Sequence, residues 1–241
     1  SLLAQDLDAL EELTQGYEGP LKVQLTGPWT LAALVEKPRG DKVLSDHGAR
    51  RDLAQALAEG VRRHLADVQR RVPGAEVVLQ IDEPAFPAVL AGQVRTASGF
   101  HRHRSVDLPM ASAILEEVLV PGTVVHSCAA DVPIGLLTGA GAAGVSLDAD
   151  LLTAASYDEL GTLLDDGHRL FLGVVPTGHT PTATAIADRV KRLLDMLGFG
   201  PDEVSEQLVL TPACGLAGVG EPTMRQVLAS LREAADLLNR G

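Results

Sequence analysis

Six short apolar runs, separated by longer amphipathic stretches, limit what this 241-residue chain can fold into. The runs are Leu21 to Thr26, Glu76 to Ile81, Thr123 to His126, Gly144 to Leu147, Arg169 to Val175 and Leu208 to Thr211. Helical spacing of apolar residues is clearest in Asp46 to Val72, Met110 to Leu119, Ser156 to Leu164, Thr182 to Leu197 and Pro222 to Leu238. Apolar strands joined by amphipathic crossovers make a parallel sheet covered by helices. Glycine and proline mark where the strands stop, in Thr26-Gly27-Pro28, Asp82-Glu83-Pro84, Pro176-Thr177-Gly178 and Pro212-Ala213-Cys214-Gly215. Thr180-Pro181 and Glu221-Pro222 place proline near the first turn of a helix, where its missing N–H costs nothing. Ala91 to Asp107, with Gly92 and Gly99, carries no periodic pattern and reads as a long functional loop.

The hydrophobic content of 46% suffices for one large core, and α/β barrels commonly fill this length as one domain, so residues 1–241 are expected to form a single barrel domain. Six βα units fall short of the eight that close a barrel. The chain also begins inside a helical pattern, Ser1 to Leu13, without an initiator methionine or a recognisable cap. The expected fold class is therefore α/β, a (β/α)8 TIM barrel lacking its first two βα units. An open doubly wound sheet needs no further strands and competes with it on composition alone. A barrel opened in this way exposes two unpaired strand edges, so the chain is expected to pair as a homodimer through them, retain a missing piece or distort.

A formal charge of -12 disfavours nucleic acid and anionic membrane as partners, since either calls for a basic patch. Arg50, Arg51, Arg62, Arg63, Arg70 and Arg71 recur through one helical stretch and read as a solvated helix face. Two cysteines far apart do not make a secreted disulfide scaffold, and neither a signal peptide nor a spanning apolar segment is visible, so the cytoplasm is the expected compartment. A single Cys128–Cys214 disulfide stays open at this point.

Asp82, His126, Asp148 and Cys214 each follow or close an apolar run. In parallel α/β folds such positions gather on one face, at the carboxyl ends of the strands, where ligand sites form. Taken singly, a cysteine is usually a buried hydrophobe and a histidine a satisfied core or loop residue. The one-residue gap between His126 and Cys128 says more, because strand alternation puts both on one face. With Cys214 they make a two-sulfur, one-nitrogen set of the types zinc prefers.

Val23-Gln24-Leu25-Thr26-Gly27-Pro28, Gln80-Ile81-Asp82-Glu83-Pro84, His126-Ser127-Cys128 and Pro212-Ala213-Cys214-Gly215-Leu216 occur in that order. On these motifs the chain resembles, over nearly its whole length, the C-terminal catalytic barrel of cobalamin-independent methionine synthase, and more closely the short actinobacterial single-domain proteins of that family. The resemblance implies zinc held by His126, Cys128 and Cys214, with Asp148 at the position of the family's glutamate, one methylene shorter, and Asp150 as a competitor. It implies that Asp82 binds the amino group of homocysteine, with Glu83 either supporting that contact or serving structure beside Pro84. His179 falls one residue from the histidine that the family associates with protonating the folate leaving group. The Gly-Ser-hydrophobic-Pro motif of the family's first strand has no counterpart here.

The implied activity is zinc-dependent methyl transfer to the thiol of homocysteine, forming methionine, with 5-methyltetrahydrofolate as donor. A corrinoid donor is the alternative among enzymes, and a zinc- or thiol-binding barrel without turnover is the alternative outside them. The fold also resembles that of uroporphyrinogen decarboxylases, which need no metal, and the paired cysteine and histidine argue against that reading.

Overall fold

The computed structural model describes residues 2–38 and 40–240. Helix α1 (Leu2–Leu13) leads into β1 (Gly19–Thr26), α2 (Pro28–Leu34) and the long α3 (His47–Arg71). Then follow β2 (Ala75–Asp82), α4 (Phe86–Leu90), α5 (Leu108–Glu116), β3 (Val124–Ser127), α6 (Ile134–Gly139) and β4 (Gly144–Asp148). The chain continues through α7 (Ala154–Asp165), β5 (Arg169–Val175), α8 (Ala183–Leu197), β6 (Leu208–Pro212) and α9 (Glu221–Leu238). All six expected strands are present, with ends shifted by at most two residues. Helices α2, α4 and α6 were not legible in the sequence, because seven residues or fewer complete no more than two turns of any pattern.

Every strand pairs in parallel with its neighbours in chain order, β1 to β6. A doubly wound sheet reverses its strand order at a switch point, and this one does not. The sheet is also curled. In a flat sheet, β3 and β6 would lie three strand spacings apart, about 14 Å. Yet Cys128, just past β3, and Cys214, just past β6, bring their sulfurs to 3.8 Å. The architecture is an open α/β half-barrel, in which β1 and β6 each pair on one side only among the described residues.

The helices start where the side-chain chemistry puts them. Asp46 accepts the Ala49 N–H at 2.9 Å to cap α3, Asp107 accepts that of Met110 at 2.9 Å to cap α5, and Thr182 accepts that of Ala185 at 3.3 Å to cap α8. The α8 helix ends on Gly198, whose φ of 84° is costly for any residue with a Cβ. One buried cluster joins the helices to the outer face of the sheet, with Trp29 stacked on Phe86 at 6.3 Å and donating from Nε1 to the Ala111 carbonyl at 3.1 Å.

The arginine-rich helix face needs a correction. Arg51, Arg62, Arg63 and Arg70 are exposed, as expected of a solvated face. Arg71 instead ties α3 to α1 through Asp8 and Glu11, both at 2.8 Å, while Arg50 is buried. Among the described residues, no helix is long and apolar enough to cross a membrane.

Candidate metal centre

Register builds this site. Asp82 pairs with His126, and His126 with Ser146, so three polar side chains stand side by side on the inner face of the sheet. Cys128 follows His126 by two residues and rises on the same face, as strand alternation requires. From the far side, Cys214 arrives on the loop after β6. Gly173 permits this approach, because a Cβ there would stand 2.7 Å from the Ala213 Cα and 2.8 Å from the Leu147 carbonyl oxygen.

One ligand atom from each of His126, Cys128 and Cys214 lies within 4.8 Å of the other two. Both thiols are free, and their 3.8 Å separation is far beyond a disulfide bond of about 2.05 Å. Zn–S bonds of about 2.3 Å at the tetrahedral angle place two sulfurs about 3.8 Å apart. The thiols therefore already stand at the spacing that zinc imposes. His126 is oriented to match: Nδ1 lies 3.2 Å from the Ser146 carbonyl oxygen and 3.0 Å from its Oγ. With its proton on Nδ1, directed at that carbonyl, the ring leaves the Nε2 lone pair free for a metal.

The local electrostatics agree. Burial lowers the His126 pKa, against the opposing pull of Asp82, which favours the neutral ligand form. Burial raises that of Cys128, and the neighbouring Cys214 adds to the shift, so the Cys128 thiol keeps its proton until a cation offsets the cost. The residues present fit a zinc ion.

A cleft of about 470 Å³ adjoins the three ligands and is lined on its other side by Lys22, Gln24, Gln80 and Asp82. Lys22 Nζ donates to Gln80 Oε1 at 2.8 Å and to Gln24 Oε1 at 3.1 Å, and Gln80 Nε2 donates to Asp82 Oδ1 at 2.6 Å. This relay holds the Asp82 carboxylate beside His126, on the lining of the same cleft as the thiols. Burial lowers the Lys22 pKa, with Asp82 opposing. An ammonium and a carboxylate thus share the cleft with two sulfurs.

Residues 11–237 match the family described as cobalamin-independent synthase, catalytic domain. The chain belongs to that family. No curated protein matches the sequence. Among solved structures, the YdjI aldolase from Escherichia coli K12 is similar over 91% of this chain and 75% of its own, at 10% identity and a TM-score of 0.34, a likeness too slight to bear on chemistry.

The remaining residues expected in this cobalamin-independent synthase domain fall elsewhere. Glu83 is fully buried and does not line the cleft; it accepts the Trp29 N–H at 2.8 Å, the Thr30 N–H at 2.8 Å and the Thr30 hydroxyl at 2.7 Å. These bonds anchor the start of α2, and burial still pushes the Glu83 pKa up to about 7. Asp148 is half-buried at the end of β4, where its Oδ1 accepts the Asp150 N–H at 2.9 Å, and it stands outside the close triplet. Asp150 pairs with Arg189 at 2.7 Å. His179 is exposed on the loop after β5 and does not line the cleft.

Lys22, Gln24, Gln80 and Ser146 were not singled out from the sequence. A signal was there in β1: Lys22 and Gln24 alternate with Leu21, Val23 and Leu25, and polar residues at period two in a covered parallel sheet point to the lumen.

Proposed function

We propose that this chain is a zinc-dependent homocysteine S-methyltransferase that forms methionine, with a 5-methyltetrahydrofolate-type donor. The observation that carries the reading is the His126, Cys128 and Cys214 triangle, spaced for tetrahedral zinc and set beside Asp82. Zinc bound there would supply the Lewis acidity that keeps a substrate thiol deprotonated and nucleophilic at neutral pH. Asp82 Oδ1, held by Gln80, accepts from the substrate ammonium, and Lys22 offers its remaining N–H to the substrate carboxylate. Two anchors on one amino acid fix its sulfur relative to the donor methyl, which is where positioning lowers the barrier.

The S–CH3 bond forms as the CH3–N bond of the donor breaks, and the departing nitrogen takes a proton. A tertiary amine leaves poorly without that proton, and we assign its delivery to His179, once its loop folds over the cleft mouth. The fourth zinc ligand is assigned to Asp148 after a rotamer change that releases the Asp150 amide. The family match supports a folate-type donor and lends nothing to a corrinoid one.

The test is zinc analysis of the wild type, Cys214→Ser and Asp148→Ala, together with methionine formation from homocysteine and 5-methyltetrahydrofolate. Stoichiometric zinc is expected in the wild type, loss in Cys214→Ser, and roughly tenfold weaker retention in Asp148→Ala. Equal zinc in the wild type and Cys214→Ser refutes the metal centre. Zinc without methionine refutes the enzyme and leaves a thiol-binding barrel.

A further inference from the structure

A second cleft, of about 440 Å³, opens between the first turn of α3 and the segment leading into α5. In a chain of net charge -12, its lining holds the guanidinium groups of Arg50, Arg102 and Arg104 against the single carboxylate of Asp107. Like the metal centre, it is built from connections that follow the carboxyl ends of strands, here β1 and β2. It uses none of the metal-site residues.

Arg50 is the built part. The residue is 7% exposed, yet its guanidinium forms no ion pair among the described residues. Nε reaches the Asp46 carbonyl at a long 3.4 Å, Nη1 meets the Met110 sulfur at 3.5 Å, and the group lies 5.9 Å from the Trp29 ring centre. The carboxylates of Asp46 and Asp107 are near enough to act on its charge, but each already caps a helix. A buried guanidinium without a bidentate acceptor is costly, and an anion entering the cleft would offset that cost. His103 differs in having a carboxylate at hand: its Nε2 is buried, 3.3 Å from Asp41 Oδ1 but without a well-aligned hydrogen bond. Arg102 and Arg104 flank His103, both exposed and without an ion pair among the described residues.

We propose that this cleft binds a small polyanion, a phosphate-type or oligocarboxylate group, between Arg50, Arg102 and Arg104. Forked guanidinium donors match the oxygen pairs of both chemistries, and the anion's charge meets a cationic recess on an acidic chain.

Calorimetric titration of the full chain with inorganic pyrophosphate and with tricarballylate tests this. Saturable binding below about 1 mM is expected for at least one probe, weakening as salt rises. Tighter binding of pyrophosphate assigns the phosphate source, and tighter binding of tricarballylate the carboxylate source. The exposed pair Arg102→Ser/Arg104→Ser is expected to weaken binding at least about tenfold, and Arg50→Met, which keeps an apolar stem near Trp29, more strongly. Cys214→Ser is expected to bind as the wild type does. No saturable heat with either probe at about 10 mM overturns the proposal. So does unchanged affinity in the double variant, or loss of binding in Cys214→Ser with retention in the double variant, which moves the anion to the metal centre.

Discussion

Replacing Gly27 with alanine adds one methyl group at the seam between β1 and α2, and the structure fixes what that methyl meets. Gly27 has φ -78° and ψ 167°, which alanine adopts freely, so backbone strain adds nothing. A Cβ there would stand 2.4 Å from Glu83 Oε1, 2.5 Å from its Cδ and 2.7 Å from its Cγ. The carboxylate has no solvent to swing into, and moving it strips its bonds to Trp29 and Thr30. Hydrogen bonds to a charged group contribute about 1.5 to 3 kcal/mol each, so Gly27→Ala is expected to cost about 3 to 5 kcal/mol. Glu83→Ala alone is expected to cost about 2 to 4 kcal/mol, since it orphans two amides but removes a buried carboxyl.

In the double variant the new methyl occupies the vacated space. Its stability should match that of Glu83→Ala, giving a coupling energy equal in size to the Gly27→Ala cost, about 3 to 5 kcal/mol, in a urea-unfolding cycle. Additivity within about 0.5 kcal/mol would refute the steric account of Gly27. Because the three candidate ligands stand on β3, just past it and on the loop after β6, Gly27→Ala should leave zinc retention unchanged and, for the proposed activity, raise KM for homocysteine through Asp82, the neighbour of Glu83.

Two more outcomes follow from particular side chains. Glu83 has its pKa raised from 4.5 to about 7, so the folded state binds that proton more tightly than the unfolded state. Its stabilising contribution is present below about pH 4.5 and is lost, by about 3 kcal/mol, as pH rises to about 7. Asp41, Asp46, Glu59 and Asp67 are shifted downward and slope the other way at lower pH, so the quantity to measure is the difference between wild type and Glu83→Gln. A difference that stays flat across that window counts against the buried proton. Gly173→Ala, although it touches no ligand, should displace the loop carrying Cys214 and weaken zinc binding at least about tenfold, because the atoms it strikes are backbone. Wild-type affinity by competitive chelator titration would show that the approach of β6 does not depend on that glycine.

Much of the sheet was legible because strand periodicity is local. Backbone geometry alone makes alternate residues share a face, so His126 and Cys128 could be paired from the sequence, and each strand could be placed from its apolar run. Cys214, expected as a third ligand from its residue type and from the family motifs, is brought within reach of that pair by the fold. Where a side chain had two rival partners, the sequence left the choice between them open. Glu83 sits next to a cleft residue in the chain, but the open N–H groups of Trp29 and Thr30 claim its carboxylate. Asp148 ends a strand at the expected level, but the Asp150 amide, two residues away, is its nearer partner. The basic cleft was invisible because Arg50 and Arg104 belong to separate segments, and the helical pattern around Arg50 marks only a polar position.

The sequence by itself determined the parallel strands, their succession and the facing of the His126–Cys128 pair, since these follow from φ/ψ preferences and a period of two. Only the tertiary structure decided that Cys214, 86 residues beyond Cys128, comes within 3.8 Å of it, that Glu83 turns inward and that Arg50 lines a recess. Those distances depend on how far the sheet curls and how closely its strands pack, which is the balance of many contacts distributed over the whole chain and is written in no single segment of it.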